Sequence, residues 1–169
     1  MNRIFIIGTS CSGKTSLAKI LSQKLNIETY DLDEYIWLKN WQLQNREEYE
    51  KIVKTILNEP QWIISGNSSF VREKADTLIW LDYSFKTIFW RAIKRCLKRI
   101  IKKESCCNNN IETFRRTFFS QDSILLWIIK TYKKRKKEYI ELFATTNNKI
   151  CLRFSNPNET QIWFDKLNK

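Results

Sequence analysis

Arg3-Ile4-Phe5-Ile6-Ile7-Gly8-Thr9-Ser10-Cys11-Ser12-Gly13-Lys14-Thr15 opens the chain with a short apolar run and a polar loop framed by glycines. A periodic segment follows, with Leu17, Ala18, Ile20, Leu21 and Leu25 apolar. The order predicts strand, loop, helix, and the loop fits GxxxxGK[ST] in the setting that pattern requires. Gly8 and Gly13 let the backbone turn so that successive N–H groups point inward. The helix start adds free amides and the positive end of its dipole. Lys14 supplies a mobile cation for outer phosphates, and Thr15 a hydroxyl for Mg²⁺. Gly8, Thr9, Ser10, Cys11, Ser12, Gly13, Lys14 and Thr15 are therefore the expected cradle for a nucleoside triphosphate, with ATP the default because no NKxD-type guanine motif is present.

Composition bounds what surrounds this loop. A chain of 169 residues builds one α/β domain and is short for two. A hydrophobic share of 43% argues against wholesale disorder. The longest apolar run, Ile124 to Ile129, stops at Lys130, far below the roughly 18 residues that span a bilayer. No secretory signal is visible, so the expectation is a cytoplasmic protein without a membrane partner, a monomer or homodimer. Five cysteines, an odd count, speak against a disulfide scaffold. Without any histidine there is no imidazole base and no familiar zinc spacing. The net charge of +12 reads either as solvated lysine or as a surface for polyanions.

Asp31 and Asp33 close the next short strand. On an extended chain, acids two apart point the same way, and the carboxyl edge of a parallel sheet is where ligands bind. One carboxylate can serve Mg²⁺ while the other faces an acceptor hydroxyl; ordinary loop or helix-cap roles stand beside that reading. Glu34 to Arg46, rich in aromatics, reads as a substrate-side flap or as a packed surface loop. Glu47 to Leu57 has helical spacing. Residues 61–65, 77–81 and 149–154 read as strands. Asp82 closes the fourth strand, with a metal-shell or helix-capping role. Ser84 to Lys103 is a long helix on which Arg91, Arg95 and Arg99 recur every fourth residue, as a solvated row or as a row approaching phosphates. Lys102 to Ile111 has no periodicity and reads as part of a mobile lid over about 102–116. Arg115 and Arg116 beside it suit transient clamping of a transferring phosphoryl group. Lys130 to Lys137 is a charged helical face or a contact for nucleic acid or an acidic partner.

Five strands separated by helices, with right-handed crossovers, give a three-layer α/β/α domain with a parallel sheet of order 2-3-1-4-5. The chain resembles the P-loop nucleoside and nucleotide kinase superfamily, and more closely the adenylate-kinase-related proteins known as DNA topology modulation proteins. The features that carry this are Gly8 to Thr15, Leu32-Asp33 with Trp37 or Trp41, Trp62 to Asn67, Ala75-Asp76 through Leu81-Asp82, Trp90-Arg91 to Arg99, Arg115 to Arg135, and Leu152 to Ser155. Two departures matter. Ser65 stands where that family usually has Asp, and Asp31 stands where it commonly has His or another residue. The second makes Asp31-Leu32-Asp33 look like the DxD of shikimate kinase, where one acid serves Mg²⁺ and the other the acceptor.

The resemblance implies an ATP-dependent phosphotransferase acting on a nucleoside, nucleotide or hydroxylated metabolite. Lys14, Asp33, Arg115, Arg116, Arg91 and Arg95 would do the work of transfer. Thr15 and Asp31 would serve the metal, and Ser155 would lie in a loop that borders the base. A nucleotide-dependent regulatory or nucleic-acid-binding protein with little turnover is the alternative.

Overall fold

The computed structural model describes residues 1–167. Its strands are β1 (Arg3–Gly8), β2 (Thr29–Asp31), β3 (Trp62–Ser65), β4 (Thr77–Leu81), the two-residue β5 (Ser105–Cys106) and β6 (Asn110–Ile111), and β7 (Ile150–Phe154). The helices are α1 (Lys14–Leu25), α2 (Leu32–Ile36), α3 (Arg46–Leu57), α4 (Ser69–Lys74), α5 (Phe85–Lys102), α6 (Phe114–Phe119), α7 (Ile124–Thr145) and α8 (Pro157–Lys166). Five strands form one parallel sheet in the order β2-β3-β1-β4-β7, the order expected with β7 as the fifth strand.

The apolar run of β1 is continuous because the strand is central and covered on both faces. Ile4, Phe5, Ile6 and Ile7 are all fully buried. Side chains alternate along a strand. Ile4 and Ile6 pack with Leu17, Leu21, Ile88 and Ala92 of α1 and α5. Phe5 and Ile7 face the other way, onto Val53 and Ile56 of α3 and Val71 of α4.

The helix α7 joins the two layers. Ile128 lies in the α1/α5 core, Tyr132 donates its hydroxyl to the Tyr83 carbonyl at 3.2 Å, and Tyr139 lies in the opposite core against Trp80. It therefore passes over the carboxyl end of β4. Asp82 neither caps a helix nor turns toward a metal site. Its carboxylate takes Arg153 at 2.6 Å and Lys136 at 3.2 Å, and Ser84 caps α5 instead.

Some boundaries move. The strand ending in the acid pair stops at Asp31, so Asp33 lies in the first turn of α2, capped by Asp31. Leu97 on α5 is 37% exposed, and Ile162 on α8 is also exposed. The segment read as an aperiodic lid contains the antiparallel hairpin β5–β6, whose turn residues Cys107, Asn108 and Asn109 all take positive φ.

Gly66, just past β3, has φ +153°, and a Cβ there would sit 2.7 Å from the buried Leu32 side chain. Gly66→Ala is expected to cost about 2–4 kcal/mol through strain and overpacking. Urea unfolding checks this, as a lower midpoint with an unchanged slope.

Candidate active site

Three of the loop's features come from backbone constraint. Gly8 has φ +151°, and a Cβ there would meet the Ser12 hydroxyl at 2.8 Å and the Leu81 carbonyl at 3.0 Å. Gly13 has φ +102° and leads directly into α1. No side chain caps that helix, so its first-turn amides keep their free N–H groups for an anion. Cys11, at φ 66°, is held in the left-handed region without being glycine. The Ser12 hydroxyl is buried without a partner, and Lys14 Nζ donates to the Thr9 carbonyl at 3.2 Å, across the loop. These are the donors a triphosphate would collect.

The acids converge on the same place. The Thr15 hydroxyl donates to Asp31 Oδ2 at 2.6 Å, and the Asp33 amide donates to Asp31 Oδ1 at 3.1 Å. Asp31 is thus tied to the loop by one oxygen and to α2 by the other. A hydroxyl and a carboxylate in contact form a hard-oxygen pair of the kind that holds Mg²⁺ together with substrate phosphates. Among the described residues no cluster of three or more His, Cys, Asp or Glu could hold a metal alone. The donor set fits an ion that arrives with its nucleotide.

Crowding shifts the charges. Protein atoms around Lys14 push its pKa down, opposed by Asp33 and Asp31 and reinforced by Arg135. Asp33 keeps solvent access in its cleft, yet the walls push its pKa up, with Asp31 adding to this and Lys14, Arg135 and Arg95 opposing it. Crowding first and the Asp33 charge second raise the Tyr49 phenol to about 12, and its ring packs against the core cluster that contains Leu32.

The arginines divide. Arg91 donates to the Ser12 carbonyl at 3.0 Å and stacks on Tyr83, bracing the loop from α5. Arg95 acts electrostatically on Cys11 and Asp33, and its Nε is buried without a partner. Arg99 pairs with the buried Glu112 at 2.7 Å. The α5 row thus faces the site and the hairpin and is not a solvated face. Arg116 lies over the Trp41 ring at 4.8 Å, on the flap, while Arg115 is exposed. At the end of β7, the Ser155 amide donates to Glu159 Oε2 at 2.7 Å. Sequence reading missed Arg135, which sat unremarked within the basic run Lys130 to Lys137. On α7 its guanidinium stacks on the Trp127 ring at 5.6 Å and adds its charge to the field at Lys14 and Asp33.

The hairpin grips the segment that follows α2. Asn108 donates from Nδ2 to the carbonyls of Glu34 at 2.8 Å and Trp37 at 2.6 Å. The buried Asn110 donates to the Leu38 carbonyl at 2.8 Å and accepts from the Trp41 amide at 2.9 Å. Asn110→Ala would leave these backbone groups unpaired, and is expected to cost about 1–3 kcal/mol. Amide hydrogen exchange is expected to quicken across residues 37–43, which separates a loosened flap from general instability.

No protein-family model matches the sequence. The chain is 29% identical over 160 residues to the shikimate kinase of Azobacteroides pseudotrichonymphae, covering 77% of this chain and 92% of that one. Its fold resembles the shikimate kinase of Bacteroides thetaiotaomicron, with a TM-score of 0.62 at 18% identity over 98% of this chain and 96% of that one. It also resembles the deoxyadenosine kinase of M. mycoides, with a TM-score of 0.52 at 17% identity over 98% of both chains. The phosphate loop, the sheet order and these likenesses together support an ATP-dependent kinase that phosphorylates a small molecule.

Proposed function

We propose that the acceptor is a small hydroxylated carboxylic acid of the shikimate type, phosphorylated in the cytoplasm. The observation that carries this is the hydrogen-bonded chain Thr15–Asp31–Asp33 at the edge of the sheet, with Lys14 and Arg135 acting on Asp33 electrostatically. The curated relative described above is itself named a shikimate kinase.

The residues divide the work. The loop amides and Lys14 take the β and γ phosphates. Thr15 and Asp31 would hold Mg²⁺, which supplies neutralisation of phosphate charge when bound. Asp33 accepts a hydrogen bond from the acceptor hydroxyl and takes its proton late in transfer, a role suited to a carboxyl whose crowding raises its proton affinity. Arg135 faces the acceptor's anionic group from α7, while Trp37, Trp41 and Tyr49 wall the ring. Arg91 and Arg95 fix the loop and offset charge, and Arg115 and Arg116 close from the lid side. Most of the rate comes from alignment and fixed charge.

A coupled assay with ATP, Mg²⁺ and shikimate, run beside pooled nucleosides and nucleoside monophosphates, tests the reading. Shikimate-stimulated turnover is expected, and Lys14→Ala is expected to abolish it. Asp33→Asn should keep ATP binding by calorimetry and lose transfer by about 10²-fold or more. Arg135→Leu should raise the acceptor KM by at least about tenfold with a smaller change in kcat. Turnover on a nucleoside and none on shikimate would replace the acceptor. The exposed Lys130, Lys133, Lys134 and Lys137 favour nucleic-acid contact as a second reading, for which retention on DNA should fall steeply with salt.

A further inference from the structure

The lid hairpin carries two consecutive cysteines. Cys106 ends β5, and Cys107 begins the turn. Both are half-buried and free, and their thiols lie against one another. Cys106 Sγ donates to the Asn110 carbonyl at 3.5 Å. The Cys107 carbonyl accepts from Asn110 Nδ2 at 2.7 Å, and the same Asn110 holds Leu38 and Trp41 of the flap. Asn108, next to Cys107, donates to the Glu34 and Trp37 carbonyls, so the pair stands against the segment that follows Asp33.

We propose that Cys106 and Cys107 form a reversible oxidation site for hydroperoxides, and that closing their disulfide releases the flap from the hairpin. The Cys106 thiolate attacks the terminal peroxide oxygen. The O–O bond breaks, the alcohol (water, for hydrogen peroxide) leaves, and Cys106 becomes a sulfenic acid. The Cys107 sulfur then attacks the Cys106 sulfur, the S–S bond forms, and the sulfenic oxygen departs as water with the remaining thiol proton. Two thiols and one hydroperoxide give one disulfide, one alcohol and one water.

Local chemistry supports the order of attack. The neighbouring Cys107 thiol, with Arg99 helping, holds Cys106 down at about 7, while Cys107 is pushed up by its bond to Cys106. A thiolate at Cys106 is therefore available near neutral pH, and the thiolate is the nucleophile. Geometry supplies the consequence. Consecutive Cα atoms stand about 3.8 Å apart, below the roughly 4.4–6.8 Å usual for a disulfide. Closing the ring must twist the 106–107 peptide unit and move the Cys107 carbonyl away from Asn110. A bond under that strain is readily reduced again. The thiol chemistry is independent of the acceptor's identity; only the reading of the released segment as a substrate-side flap rests on the proposed function.

The reduced full chain, treated with hydrogen peroxide, is read by peptide mass and by hydrogen exchange. The expected product is a loss of two hydrogens in the peptide holding Cys106 and Cys107. Exchange across residues 34–44 should quicken by about tenfold and be restored by dithiothreitol. Cys107→Ser should stop at a Cys106 sulfenic acid, trapped by dimedone, with slow exchange kept. Oxidation that instead joins Cys11 to Cys96, or that stops at sulfinic acid in the wild-type chain, overturns the site. A 106–107 disulfide with unchanged exchange at 34–44 overturns the release. Neither result depends on whether shikimate is phosphorylated.

Discussion

The burial of β1 between β3 and β4 is the constraint on which the other features depend. Four fully buried side chains fix the strand's register, and the phosphate loop is simply what comes next. Because Gly8 lies opposite Leu81 in that register, the loop starts against the β4 backbone, too close for any side chain. At about 25 cal/mol per Å² of apolar surface removed from water, each such residue contributes on the order of 2 kcal/mol. The loop thus takes its position from a core that it touches through Cys11, the strained residue held against it.

A second constraint is the register between β2 and β3. Asp31 is paired directly with Ser65, and side chains of neighbouring strands at equal register lie on the same face about 5 Å apart. An Asp at position 65 would confront the Asp31 carboxylate there. The two departures noted in the sequence are therefore one substitution pattern. The acid lies on β2, where the Thr15 hydroxyl reaches it, and the neighbouring strand carries a small hydroxyl with no charge. This arrangement separates the carboxylate held by the loop, Asp31, from the one on α2, Asp33.

Strand order and phosphate loop were legible because both write themselves in local pattern: continuous apolar runs for buried strands, and glycine spacing for the loop. The acid pair was legible for a partly mistaken reason. Extended geometry was the argument, yet the chain enters α2 at Leu32, and the pair converges because Asp31 caps that helix while bonding Thr15. Arg135 was not legible. Its neighbours are lysines, and only the passage of α7 over the sheet edge distinguishes it from them. The hairpin was hidden for another reason. Two-residue strands leave no periodicity, and asparagine side chains make the contacts that hold it.

The charge distribution follows from the same architecture. Residues 86–137 contain sixteen Lys and Arg and three Asp and Glu, a net +13, whereas the whole chain carries +12. The remaining two-thirds of the protein is therefore at −1. The elements that carry the excess are α5, α6 and α7, which bring Arg91 to the loop and Arg116 to Trp41 and add the charges of Arg95 and Arg135 to the field at Asp33. A field so placed raises the local concentration of polyanions at the open edge of the sheet, and it weakens as salt screens it. Lysines that touch nothing in the site still favour arrival of a triphosphate, so a surface that looks generic in composition acts in the same direction as the loop.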